Sequence, residues 1–197
     1  MGRAKAAILR NRRSVPYRLP SYNGVNWATA SYRVYSTSGT SYSQAGTVSG
    51  DIIVSQAIPT FNEVGAVISA AMYDRLNDAS TSTTGALTSS NARISYTAGW
   101  FDGIDRAIAT ANYGAIGSFT RPGTPPFSSA TVLVTQTSYD GAGRVYKTID
   151  PMGIVAQNSY DNTGRTTQTI EAYATSSARM SPGASKPATH GRLKTSH

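Results

Sequence analysis

Two acidic pairs, Asp102 with Asp105 and Asp74 with Asp78, come nearest in this sequence to the paired carboxylates of general acid and base chemistry. Neither reads as a catalytic pair. Asp74, Asp102, Asp140, Asp150 and Asp161, half of the ten acids, stand at the first or second positions of turn-like segments, where the backbone itself uses a carboxylate. Carboxylates gathered at turns also suit a hard cation such as calcium. No segment, however, carries the alternating ladder of an EF-hand loop, and no metal is expected. His190 and His197 are the only histidines, and both fall in an end segment that reads as disordered, so a Ser-His-Asp triad or a histidine metal site lacks an ordered member. With no cysteine there is no thiolate nucleophile and no disulfide framework. Gly114 and Gly117 lack the rest of a phosphate-cradling loop. The expectation is a chain that is not an enzyme and takes no cofactor.

The basic side chains need the same weighing. The formal charge is +8, but residues 1–18 hold six basic groups and no acid, residues 179–197 hold four more, and the stretch between has eight basic against ten acidic residues. The charge belongs to the ends, which makes nucleic acid a poor partner for the body of the chain and leaves a basic-tailed nucleic-acid-binding protein as an alternative. Arg106, Arg144 and Arg165 each follow a turn-like segment, a setting in which pairing with a nearby carboxylate or stacking on tyrosine is expected before anion binding. Tyrosine, at 12 copies, outnumbers Phe and Trp, and tyrosine or Trp100 rows on a sheet could pack against sugars, so glycans form a second partner class.

Elements that would hold these residues emerge from an internal repeat. Tyr139, Asp140, Gly143 and Arg144 return 21 residues later as Tyr160, Asp161, Gly164 and Arg165, with Ile149 returning as Ile170 and Asp150 as Glu171. The block has the chemistry of a bulged hairpin. Asp at the first corner of a type I turn accepts from the N–H two residues on, and Gly three residues later takes the left-handed conformation that closes the turn. Asp150, Pro151 and Gly153 supply a second turn between the copies, leaving 144–149, 154–160 and 165–170 as strands. Weaker copies are expected at Phe61, Asn62 and Gly65, at Tyr73, Asp74 and Asn77, and at Phe101, Asp102, Asp105 and Arg106, because each fifth residue is one of the types that tolerate positive φ. Starts at 61, 73, 101, 139 and 160 are unevenly spaced, so loops must interrupt the array, most plainly the proline-rich stretch 120–129.

A Tyr-Asp, two variable residues and then Gly-Arg resembles the signature of the YD-repeat, or RHS-repeat, proteins. The resemblance is closest over 139–173, weaker over 61–119 and faint before 60 and after 174. It implies repeats wound into a spiral β-sheet that builds a hollow shell, often around a carboxy-terminal toxin, in proteins exported or displayed at the cell surface. The longer signature of that family's self-cleaving core is missing, and proteolysis is not carried over.

The resulting organisation is a basic, disordered leader (1–20), a Ser/Thr/Tyr-rich β segment (21–60) with strands near 32–35 and 52–55, a degenerate repeat region (61–175) and a disordered tail (176–197). The expected fold is all-β, with antiparallel hairpin repeats forming an open spiral or meander sheet. Hydrophobic residues at 39% and charged residues at 14% suit a thin, hydrogen-bonded sheet better than a thick core. No apolar run is long enough for a membrane span or a standard secretory signal. The expected role is a non-catalytic segment of a surface or secreted scaffold. Its expected partners are the remainder of a larger RHS-type protein or further copies joined through sheet edges.

Overall fold

The computed structural model describes residues 17–35, 48–77, 79, 83–173 and 193–194. Most of the basic leader and of the tail, and Asp78 of one acidic pair, lie outside the described residues, but 17–20 and 193–194, expected to be disordered, are strand, their backbone groups paired with a neighbouring strand. Among the described residues there is no helix, and all the strands pair antiparallel. The all-β meander expected from the turns is the architecture found.

The chain forms two compact units, residues 1–98 with 113–121 and residues 99–112 with 122–197. The strands of the first unit are β1 (Tyr17–Tyr22), β2 (Ala28–Tyr35), β3 (Ile52–Phe61), β4 (Val67–Arg75) and the larger part of β5 (Ala92–Phe101), each hydrogen-bonded to its neighbour in sequence. The strands anticipated near 32–35 and 52–55 fall within β2 and β3. In the second unit, β6 (Ala107–Ala115) pairs through its first half with β7 (Leu133–Tyr139), and β8 (Val145–Ile149), β9 (Val155–Tyr160) and β10 (Thr166–Tyr173) follow in order. A two-residue β11 (Leu193–Lys194) lies against β10.

The first unit has a small apolar core. Val34 and Ile53 are fully buried, with Leu87 and Ala92 beside them and Tyr32, Val48 and Tyr73 around the rim. The connection after β4 is fastened over this core by backbone and amide bonds. Buried Gln56 accepts the Leu87 N–H at 2.8 Å, Gly85 donates to the Asp51 carbonyl at 2.8 Å, and Arg75 Nε donates to the Ile53 carbonyl at 2.6 Å. A buried amide with its acceptor filled costs little, whereas an empty one would be expensive. In the second unit the buried apolar residues are mostly small or single, namely Trp100, Ala109, Ala111, Val134 and Val155. Trp100 is sealed beneath the proline-rich connection, its Nε1 donating to the Pro122 carbonyl at 3.0 Å.

One expectation is overturned by β4. Tyr73 and Asp74 do not open a turn: they sit inside the strand, paired with Ile94 and Arg93 on one side and with Gln56 and Ser55 on the other. Their backbone groups are committed to two ladders and the Tyr73 ring packs against the Val34–Ile53 core, so Asn77 lies in the connection beyond the strand and closes no hairpin.

Because Ile53 is fully buried in a core of few large side chains, Ile53→Ala should lower unfolding stability by roughly 3 kcal/mol. Urea titration of the full chain measures this directly, and a loss under about 1 kcal/mol would show that the cluster collapses around the missing atoms.

Candidate functional site

Asn23, Asn62, Asp102, Asp140, Asp150 and Asp161 open six turns of one hydrogen-bonded form. In each, the N–H of the opening residue donates to the carbonyl four residues on at 2.9–3.0 Å, and the N–H three residues on donates back at 2.9–3.2 Å. The side-chain Oδ1 accepts the N–H four residues on at 2.7–2.9 Å in all six. In five it also accepts the N–H two residues on, as Met152 to Asp150 at 2.8 Å shows. The residue before the close is left-handed every time: Asn26 (φ 64°), Gly65 (91°), Asp105 (64°), Gly143 (81°), Gly153 (81°) and Gly164 (85°). These are the residue types that bear positive φ at least cost.

Five of the six turns join an odd-numbered strand to the next even one, and each of these has an aromatic residue just before it. These are Tyr22, Phe61, Phe101, Tyr139 and Tyr160. The copy at Tyr22-Asn23 is not among those the sequence suggests, although Asn26 is of a type that tolerates positive φ and takes it. Restoring it and removing Tyr73 puts the starts at 22, 61, 101, 139 and 160, hence 39, 40, 38 and 21 residues apart. What looked like an irregular array is a regular one with a single short interval.

Where arginine closes the turn, the second carboxylate oxygen holds it. Asp102 Oδ2 accepts Arg106 Nε, Asp140 Oδ2 accepts Arg144 Nε and Asp161 Oδ2 accepts Arg165 Nε, each at 2.7 Å. The guanidinium so fixed then lies over the next tyrosine of the array. Arg106 stands 4.4 Å from the Tyr139 ring centroid and Arg144 stands 4.5 Å from that of Tyr160. Each tyrosine hydroxyl in turn donates to the carbonyl just after the arginine, Tyr139 to Ala107 at 2.9 Å and Tyr160 to Val145 at 2.6 Å. Carboxylate, guanidinium and phenol thus form a rung linking one hairpin to the next. All three arginines pair with their carboxylate, and Arg106 and Arg144 also stack on tyrosine.

Glycine at the left-handed position serves the rung as well as the turn. A Cβ on Gly143 would stand 3.4 Å from Arg106 Nη1, and one on Gly164 would stand 3.8 Å from Arg144 Nη1. The first unit builds the same contact from different chemistry. Trp27, in the arginine position, packs on Phe61 with ring centroids 5.3 Å apart, and its indole comes within 3.0 Å of where a Gly65 Cβ would be. The turn at Asp150, Pro151 and Gly153 has neither tyrosine nor arginine and stands outside the rungs.

The rung carboxylates are stabilised in their charged form. The Arg106 backbone N–H is the main cause at Asp102, and the Arg144 N–H at Asp140. Asp161 is lowered furthest, to about 2, first by the Thr163 hydroxyl at 2.7 Å and then by the Arg165 backbone N–H. Such carboxylates are poor proton donors and acceptors near neutrality, and their oxygens are occupied by protein donors. Among the described residues no three acid or histidine side chains gather to hold a metal ion. A shallow pocket of about 470 Å³ beside the first rung is lined by Asp102, Arg106, Pro125 and Tyr139 among others. Trp100 offers sugars no platform, being 3% exposed.

Two substitutions test the rung. Arg144→Ala should destabilise the chain by about 1 kcal/mol through the lost stacking alone. Tyr160→Phe should cost a similar amount, about 1 kcal/mol, through the lost hydroxyl bond, both read by thermal or urea unfolding. The acid limb is a further test. Asp161 has its pKa depressed below the ordinary 3.8, so its contribution is whole above 3.8 and disappears as pH falls through about 2. Stability measured across that window should fall less steeply in Asp161→Asn, which keeps the turn acceptor but cannot titrate; an unchanged slope would remove Asp161 as a source of acid sensitivity.

No protein-family profile matches the chain, and no curated protein does. Among solved structures it is similar to a crystal structure of TcdB2-TccC3-Cdc42, at 10% identity and a TM-score of 0.32, over 78% of this chain and 9% of that one. It is also similar to a Photorhabdus luminescens Tc holotoxin pore with a TccC3 mutation, at 12% identity and a TM-score of 0.29, over 80% of this chain and 8% of that one. The chain therefore spans less than a tenth of the length of these structures.

Proposed function

We propose that this chain is a non-catalytic length of repeat sheet, part of the wall or scaffold of a larger surface or secreted protein that encloses or presents a toxin or adhesive module. The observation that carries the proposal is where the polar side chains spend their bonding capacity. Asp102, Asp140 and Asp161 give one oxygen to backbone N–H groups and the other to arginine, and Arg106 and Arg144 give their remaining face to a tyrosine of the next hairpin. Residues that would make chemistry in another setting here join hairpin to hairpin.

A thin sheet assembled in this way is a surface-forming element. Interior packing is slight in the second unit, and strand-to-strand bonds with rung contacts carry the order instead. A glycan-binding reading loses Trp100 to burial, and the rung tyrosines have one face taken by arginine. The basic leader on which a nucleic-acid reading depends lies almost wholly outside the described residues.

In the producing cell, an antibody raised against residues 99–173 should detect the chain within a covalent or native assembly far larger than its own 20.8 kDa. The epitope should be accessible to protease on intact cells or present in the medium. Recovery solely as a 20.8 kDa cytosolic monomer would overturn the proposal.

A further inference from the structure

We propose that the Arg165–Asp161 pair is a docking position for Tyr22 of a second copy of this chain, so that copies associate head to tail. The inference rests on the scaffold reading and names a partner for it. The complete rungs of the second unit show what an arginine so placed accepts, namely a tyrosine ring at 4.4–4.5 Å whose hydroxyl reaches the carbonyl of the residue after the arginine. Arg165 is aimed by its aspartate through the same 2.7 Å bond. Its side chain is nevertheless 82% exposed, against 33% for Arg106 and Arg144, and no ring among the described residues stacks on it.

The matching half is carried at the other end of the array. Tyr22 has the position held by Tyr139 and Tyr160 relative to its turn and is 48% exposed. An exposed, oriented guanidinium and an exposed tyrosine are the two parts of one rung, and one chain bears both.

Register makes the docking specific. In complete rungs, a residue a given number of places after the arginine faces the residue that same number before the tyrosine. Ala109 faces Gln136, Ala111 faces Val134, Lys147 faces Gln157 and Ile149 faces Val155. Applied to Arg165 and Tyr22, this rule sets Thr169 and Ile170 opposite Arg18 and Tyr17 of the incoming copy. Those are the two residues of β10 that pair with Lys194 and Leu193 of β11. The short β11 and an incoming β1 of six residues therefore compete for the same backbone groups. One further difference tunes the contact. Asn26 stands where Gly143 and Gly164 leave room for the guanidinium, so its side chain crowds the joint.

A contact of this kind joins unlike surfaces and leaves an unmatched Tyr22 at one end of the assembly and an unmatched Arg165 at the other, so association continues past the dimer unless a ring closes. Sedimentation velocity on the full chain over a concentration series, with circular dichroism to verify strand content, tests it. Concentration-dependent species larger than a dimer are expected. Arg165→Ala and Tyr22→Ala should each weaken them about fivefold to tenfold, with the double substitution no weaker than the stronger single one. Asn26→Gly and Leu193→Pro should both strengthen association, the first by clearing the joint and the second by removing the competitor. A folded monomer at every concentration, a dimer that does not grow, or association indifferent to Arg165 and Tyr22 would each overturn the inference. None of these outcomes bears on whether the chain is found in a larger surface assembly, which the antibody measurement decides separately.

Discussion

The hairpins depend on one acceptor placed at one point. A five-residue turn with a left-handed residue leaves backbone N–H groups pointing at its centre with no strand partner, and an Asx oxygen at the opening position takes them. Asparagine is sufficient for that purpose, as the turns at Asn23 and Asn62 show. Aspartate adds a second acceptor, and at Asp102, Asp140 and Asp161 that oxygen fixes an arginine four residues on. Asp150 is the exception, opening a turn that Ile154 closes, with proline presetting its second corner. The choice between amide and acid at the turn thus tracks whether a guanidinium must be held.

Holding the guanidinium is what carries order from one hairpin to the next. A free arginine side chain loses considerable rotamer freedom when it stacks, and the 2.7 Å bond to aspartate removes that freedom beforehand. The tyrosine that receives it is oriented by its hydroxyl bond to the adjoining backbone. Neither contact is strong in water, but each positions the partner of the other. Trp27 against Phe61 reaches the same result by shape, with Gly65 making room for the indole as Gly143 does for Arg106.

Much of this is legible in the residues themselves because turn chemistry is local. Tyr139 through Arg144 and Tyr160 through Arg165 state the acceptor, the left-handed position and the closing cation in six consecutive residues. The Asp150 turn is equally plain. Tyr73-Asp74 misleads because the pattern needs a free strand end, and nothing local reveals that Tyr73 is wanted by the Val34–Ile53 core. Tyr22-Asn23 is overlooked for the opposite reason: Asn23, Asn26 and Trp27 hold the opening, left-handed and closing positions where the other copies carry Asp, Gly and Arg. Long-range facts are silent in the sequence altogether. Nothing in the composition says that Arg106 reaches Tyr139, or that Gln56 accepts the N–H of Leu87 across 31 positions.

The spacing of the turns separates the two margins of each hairpin. On the rung side every crossing takes the same five residues, at 23–27, 62–66, 102–106, 140–144 and 161–165. On the other side the crossings occupy 36–51, 76–91 and 116–132, then shrink to 150–154. Connections of sixteen, sixteen, seventeen and five residues join the same kinds of strand, and because loop closure costs little more as a loop lengthens, added residues there would leave the register intact. Grafted segments, epitopes or length variants placed in those connections would leave the five-residue turns unchanged, whereas a single added residue in such a turn would flip every side chain of the following strand.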